Sequence, residues 1–207
     1  MNKIKNPLVI VANGEFPTHS IPIEILENST SILACDGATN QLVQNGYTPN
    51  MIIGDLDSIS KNYRIKFENI IIKKANQNSN DLRKAINYAL DNNIMDISII
   101  GASGKREDHI IANIFSLLYY KDLNIKLFTD EGCFSCIHES KNIESFKGQQ
   151  VSIFSIDQTI RITSNNLMYN FNQSPISTIY SGTLNESTSD NFKLKISHGS
   201  LLIFQTY

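Results

Sequence analysis

Cysteine is scarce, with three in 207 residues. So small and odd a number excludes a disulfide framework and suits a reducing compartment. Long apolar runs are missing too, and no stretch is long enough to span a bilayer. The basic start before Pro7 leads only into Leu8-Val9-Ile10-Val11-Ala12, which Asn13 and Gly14 end. That is too short for a signal-peptide core and reads as a first strand. The expectation is a cytoplasmic protein that does not enter a membrane. An excess of one charge is also lacking: 18 Lys and Arg face 20 Asp and Glu, a net charge of -2. This excludes the electrostatic footprint of a nucleic-acid or anionic-membrane binder, while allowing a local basic pocket for phosphate. No internal repeat and no low-complexity segment is present.

What is present is an alternation. Apolar runs at Leu8 to Ala12, Ile32 to Cys35, Met51 to Ile53, Ile70 to Ile72, Ile97 to Ile100 and Ile125 to Phe128 are rich in Ile, Val and Leu. Such runs suit strands buried on both faces. Between them lie helical patterns, clearest over Asp81 to Asp91 and His109 to Lys121, where Ile110, Ile111, Ile114, Leu117 and Leu118 recur at helical spacing. The alternation predicts an α/β domain with a mostly parallel, doubly wound sheet over residues 1–132. After about Glu131 the pattern shifts to short alternating segments, such as Val151 to Phe154, Arg161 to Thr163 and Phe192 to Ile196. These predict an all-β sandwich over residues 133–207.

The loops after the first five strands carry Asn13-Gly14, Asp36-Gly37, Gly54-Asp55-Leu56-Asp57-Ser58, Asn76 to Asp81, and Gly101 to His109. In a parallel sheet they share the carboxyl edge, where open α/β folds bind ligands. Asp55 and Asp57 stand two apart, and on an extended chain they point the same way. Paired carboxylates repel, and a divalent cation such as magnesium relieves the repulsion. An Asx turn leading to a helix capped by Asp57 or Ser58 accounts for the same residues. Asp81, taken alone, reads first as a helix-start residue, and Asp108 carries the same ambiguity. Lys105 and Arg106, beside a Gly-rich turn at a helix start, form either a phosphate clamp or a solvated basic loop. Gly104-Lys105 is not a P-loop, because Ile99 and Arg106 stand where Gly and Ser or Thr are needed. No Gly-x-Ser-x-Gly elbow is present. Cys133-Phe134-Ser135-Cys136, with His138 nearby, lacks a second cysteine pair and reads as structural.

Four segments in this order and spacing resemble the thiamine pyrophosphokinase family: Asp36-Gly37-Ala38-Thr39-Asn40, Ile53 to Ser58, Gln77 to Lys84, and Gly101 to His109 with Asn113. Ser187-Thr188-Ser189-Asp190 is similar to a further family motif. The resemblance implies an α/β domain followed by a β-sandwich and a homodimer. It also implies transfer of diphosphate from ATP to the thiamine hydroxyl, giving thiamine diphosphate and AMP. It assigns Asp55, Asp57, Asp81 and Asp108 to Mg2+ and catalysis. Asp36, Gly37, Asn40, Gln77, Lys84, Ser103, Arg106 and His109 go to ATP, and Tyr169, Ser187, Ser189 and Asp190 to thiamine. The sequence departs from the family pattern at Ala38-Thr39, Asn76, Asn78, Asn80, Lys105 and Asp190. Other readings of the loops are transfer to another alcohol such as a hydroxymethyl pterin, diphosphate hydrolysis, or nucleotide binding without turnover.

Overall fold

The computed structural model describes residues 4–74 and 79–207. The chain divides into two compact units, one of residues 1–114 with 122–130, the other of 115–121 with 131–207.

The described residues of the first unit form six parallel strands: β1 (Leu8–Val11), β2 (Ser31–Cys35), β3 (Met51–Gly54), β4 (Ile71–Lys73), β5 (Asp96–Ile100) and β6 (Asn124–Phe128). Their order is β6-β5-β1-β2-β3-β4, every pair parallel. Leu8 to Val11 are all buried, as are Leu33 to Cys35, which is why these strands read as unbroken apolar runs. Among the described residues, five α-helices connect them: α1 (Ser20–Glu27), α2 (Ala38–Gln44), α3 (Lys61–Lys66), α4 (Asp81–Asp91) and α5 (Glu107–Ser116). In α4, Leu82, Ala85, Ile86 and Ala89 are buried, an i, i+3, i+4, i+7 stripe that packs on the sheet. Its start is capped by Asn80, whose side chain accepts from the Arg83 amide at 3.0 Å. The chain leaves β1 toward β2 on one side and later returns to β1 through β5 on the other. The order therefore reverses at β1/β5, and a crevice opens at the carboxyl ends of those strands. The loops there are knitted together: Gly14 N donates to Gly101 O at 2.6 Å and Glu15 N to Ser103 O at 2.7 Å. A Cβ on Gly14 would meet both carbonyls, so glycine is required by the close approach.

The second unit is antiparallel. One sheet has the order β11-β9-β13-β7, from β11 (Asn185–Glu186), β9 (Gln150–Phe154), β13 (Leu201–Thr206) and β7 (Gly132–Ile137). The other has the order β10-β12-β8, from β10 (Ile162–Asn165), β12 (Asn191–Ile196) and β8 (Lys141–Glu144). Inward residues of both, among them Val151, Ile153, Ile162, Phe192, Leu194 and Ile203, form one core. Along β12, Phe192 and Leu194 are buried while Lys193 and Lys195 are exposed, the period-2 alternation of a sandwich strand. Residues 117–119, a 3₁₀ turn after α5, pack on β7 and β13. Among the described residues, no helix is long and apolar enough to cross a membrane.

Candidate active site

At the carboxyl edge of the parallel sheet lies a cleft of about 590 Å³. Asp55, Asp81, Lys84, Ser103, Arg106 and His109 are in its walls. Asp36 follows β2, Asp55 follows β3, and Asp81 opens α4. One oxygen of each lies within 4.8 Å of the others. Neighbouring strand ends bring them together, since β2 pairs with β3 and β3 with β4. Gly54 makes the space: a Cβ there would sit 2.6 Å from Asp36 Cβ and 3.1 Å from Asp81 Oδ2.

Asp36 is buried, and its two oxygens accept from the Ser58 and Ile59 amides, each at 3.0 Å. Burial pushes its carboxyl above the usual aspartate range, and the negative charges of Asp81 and Asp55 add to this. The two amides work in the opposite direction. Each oxygen keeps a further lone pair. Three hard anionic oxygens this close repel one another, and a small divalent cation is the partner they fit. The buried ammonium of Lys84 supplies part of the compensation, 2.9 Å from Asp81 Oδ1. Cys35 also borders the cleft, and burial followed by the charges of Asp81 and Asp36 pushes its thiol far up. These surroundings favour the neutral thiol.

Asp57 and Asp108 stand outside this cluster. Leu56 adopts φ 75°, so the chain does not run extended from Asp55 to Asp57 and the two carboxylates do not point the same way. Instead Asp57 N turns back toward Asp55 Oδ1 at 3.3 Å. The cap of α3 is Ser60, which accepts from Tyr63 N, rather than Asp57 or Ser58. Asp108 is exposed and forms a two-pronged pair with Arg106, at 3.1 Å from Nε and 2.7 Å from the terminal nitrogen. The pairing holds the Asp108 carboxyl below its usual range and raises the Arg106 guanidinium. Asp108 Oδ1 also accepts from the His109 amide at 3.0 Å. Lys105 reaches Asn13 Oδ1 at 3.1 Å. Gly37 precedes the first turn of α2. The side chain of Asn40 ties down the next loop, donating to Ser58 O and accepting from Ser60 N, both at 2.9 Å. Gln77 lies outside the described residues. Asn80 and Asn113, which join α4 to α5 through a 2.8 Å amide hydrogen bond, also line the cleft.

Residues 23–129 match the family model for the thiamin pyrophosphokinase catalytic domain, and residues 132–204 that for the thiamin pyrophosphokinase substrate-binding domain. The chain belongs to the thiamin pyrophosphokinase family. It is 32% identical over 124 residues to thiamine pyrophosphokinase of Bacillus subtilis, a match covering 57% of each chain. It is 27% identical over 148 residues to thiamine pyrophosphokinase 2 of Arabidopsis thaliana, covering 59% of this chain and 55% of that one. The matched region spans a little over half the length of these relatives. The fold is that of the crystal structure of the Bacillus subtilis protein, with TM-score 0.81 and 21% identity over 96% of this chain and 98% of that one. Thiamin pyrophosphokinase from Candida albicans has the same fold, with TM-score 0.81 and 17% identity over 97% and 90%.

The remaining family positions lie in the second unit. Tyr169 is exposed, Ser189 is half-buried and Asp190 exposed. Ser187 is fully buried, and its hydroxyl is used to donate to Ser189 O at 2.8 Å. Cys133 and Cys136, three apart on β7, project to opposite faces of the strand, so they do not form a two-cysteine metal or redox site. Burial pushes the Cys136 thiol up to about 12, which leaves it inert.

Proposed function

We propose that this chain is a thiamine pyrophosphokinase that moves diphosphate from ATP to the thiamine hydroxyl. The observation that carries the reading is the convergence of Asp36, Asp55 and Asp81 beside a cleft whose walls include Asp55, Asp81, Lys84 and Arg106. Opposite charges arranged this way suit a cation-bound polyphosphate, not a neutral ligand. Mg2+ held by the three carboxylates would neutralise charge on the phosphate oxygens. Lys84 and Arg106 steady the diphosphate without giving up protons. Arg106 reaches it by exchanging Asp108 for phosphate oxygens. The thiamine hydroxyl oxygen bonds to the β-phosphorus, the bond from that phosphorus to the oxygen bridging the α-phosphate breaks, and AMP leaves with that oxygen. The hydroxyl proton passes to a carboxylate, for which Asp81 and Asp108 are the candidates. Catalysis of this type is positioning and charge neutralisation.

The β unit holds the vitamin in this reading, with Tyr169 stacking on the pyrimidine and Ser189 and Asp190 alongside. A homodimer is supported by exposed apolar side chains on that unit, including Ile156, Ile179, Tyr180 and Leu184. A cytoplasmic location is supported by three cysteines without a disulfide.

The test is chromatographic measurement of AMP and thiamine diphosphate from ATP and Mg2+, with and without thiamine. Equal amounts of both products, only with thiamine, are expected. AMP without thiamine would make the chain a hydrolase, and binding of both substrates without AMP would make it a binder.

A further inference from the structure

Tyr169 is 66% exposed, so packing of its ring does little to fix it, and its place is set by its main chain. That main chain is held by a single buried side chain. Asn185, 3% exposed, donates from Nδ2 to Tyr169 O at 2.8 Å and accepts at Oδ1 from Tyr169 N at 3.1 Å. The same Oδ1 accepts from Glu186 N at 2.9 Å. The contact continues a short antiparallel pairing between two segments. Thr188 N donates to Asn166 O at 2.9 Å and Met168 N to Glu186 O at 2.8 Å, and Leu167 is bridged to Ser187. At the next step, 169 opposite 185, the Asn185 amide takes the place of a peptide group. Only a side-chain amide offers one N–H and one C=O in that geometry. Aspartate lacks the donor, and glutamine is a methylene too long. The Asn185 backbone is itself fixed in β11 opposite Val151, after Leu184 in the left-handed region at φ 58°. A non-glycine residue held there marks a conformation imposed by its surroundings.

We propose that Asn185 is the positioning residue for the aromatic surface of Tyr169, and hence a determinant of vitamin affinity rather than of the chemical step. The inference rests on the reading that Tyr169 stacks on thiamine. Preorganising an exposed ring removes an ordering cost that binding would otherwise meet. Loss of Asn185 should therefore weaken thiamine binding and leave nucleotide binding alone.

The chain has no tryptophan, so Tyr169→Trp introduces a single reporter at the position in question. Thiamine should quench its fluorescence saturably. Adding Asn185→Ala should lower the reporter's anisotropy and weaken thiamine binding about tenfold. In the otherwise unaltered protein, Asn185→Ala should raise the KM for thiamine by a similar factor, with the KM for ATP and kcat little changed. Asn185→Asp keeps the size and the acceptor but loses the donor. It should fall between, and it decides the matter if the alanine variant does not fold. Unchanged anisotropy and thiamine affinity in the variant that folds would overturn the role of Asn185. Absence of quenching in the Tyr169→Trp parent would instead overturn the stacking reading beneath it.

Discussion

The three carboxylates carry opposite consequences for stability and for activity. Asp55 approaches Asp36 and Asp81 closely enough for one cation to touch all three, and without that cation the charges repel. Asp55→Asn should raise stability by about 1 kcal/mol in chelator. It should also abolish the rise in Tm on adding Mg2+ and lower kcat at least about a hundredfold. Thermal melts with and without the metal, paired with turnover, check both halves. Thr39 is a second outlier. Its hydroxyl is fully buried in α2 and has no hydrogen-bond partner among the described residues. Thr39→Val keeps the shape and removes the stranded polar group, so urea unfolding should show a gain of about 1 kcal/mol. Sequence alone reaches these loops but does not group Asp36 with Asp55 and Asp81. Asp36 reads as a nucleotide contact because nothing in its own segment shows that β2 lies beside β3. Asp57 reads as Asp55's partner because spacing does not show that Leu56 turns the chain.

Elements were legible where burial imposes a pattern. The six parallel strands and α4 each have an apolar signature that survives in the one-dimensional record. Helix α3 has no buried residue, hence no periodicity to find. The seven-residue α2 is too short to show one. Helix α1 is anchored from a distance: Asp130 accepts from Thr18 N, Thr18 Oγ1 and His19 N at 3.0, 2.6 and 3.1 Å, just ahead of the helix. Burial works to raise the Asp130 carboxyl, but the Thr18 and His19 hydrogen bonds prevail and hold it below the usual range. A depressed folded value stabilises the protein above the unfolded value, about pH 3.9. That stability is lost as pH falls through the folded one. Asp130→Ala should cost about 1 kcal/mol at neutral pH, and the gap from wild type should close in acid. Denaturant midpoints across pH 2 to 7 check this.

At the scale of the whole molecule, the two units are not separated by one cut. Residues 115–121 belong with the β unit although 122–130, including β6, belong with the α/β unit. Leu117 and Leu118 are buried, and the ring of Phe115 meets Phe154 edge-on at 6.4 Å. A fragment ending at residue 130 would leave these apolar side chains without their cover. We expect it to be aggregation-prone and less stable than the same region in the full chain, as sedimentation and thermal melts of the two would show. Sequence composition marks the change near Glu131, but a seven-residue excursion is invisible to it, because Leu117 and Leu118 satisfy a helical spacing whichever unit they cover.

The same excursion bears on how the protein is made. Residues 115–121 emerge from the ribosome long before β13, against which residues 117–119 pack. At about 5–20 residues per second the wait is roughly 4 to 17 seconds. During that interval the nascent chain presents an apolar segment that has at most β7 and not β13 to cover it, which is the kind of surface that chaperones bind. Burial of residues 115–121 is thereby tied to the arrival of β13, some eighty residues later in the chain.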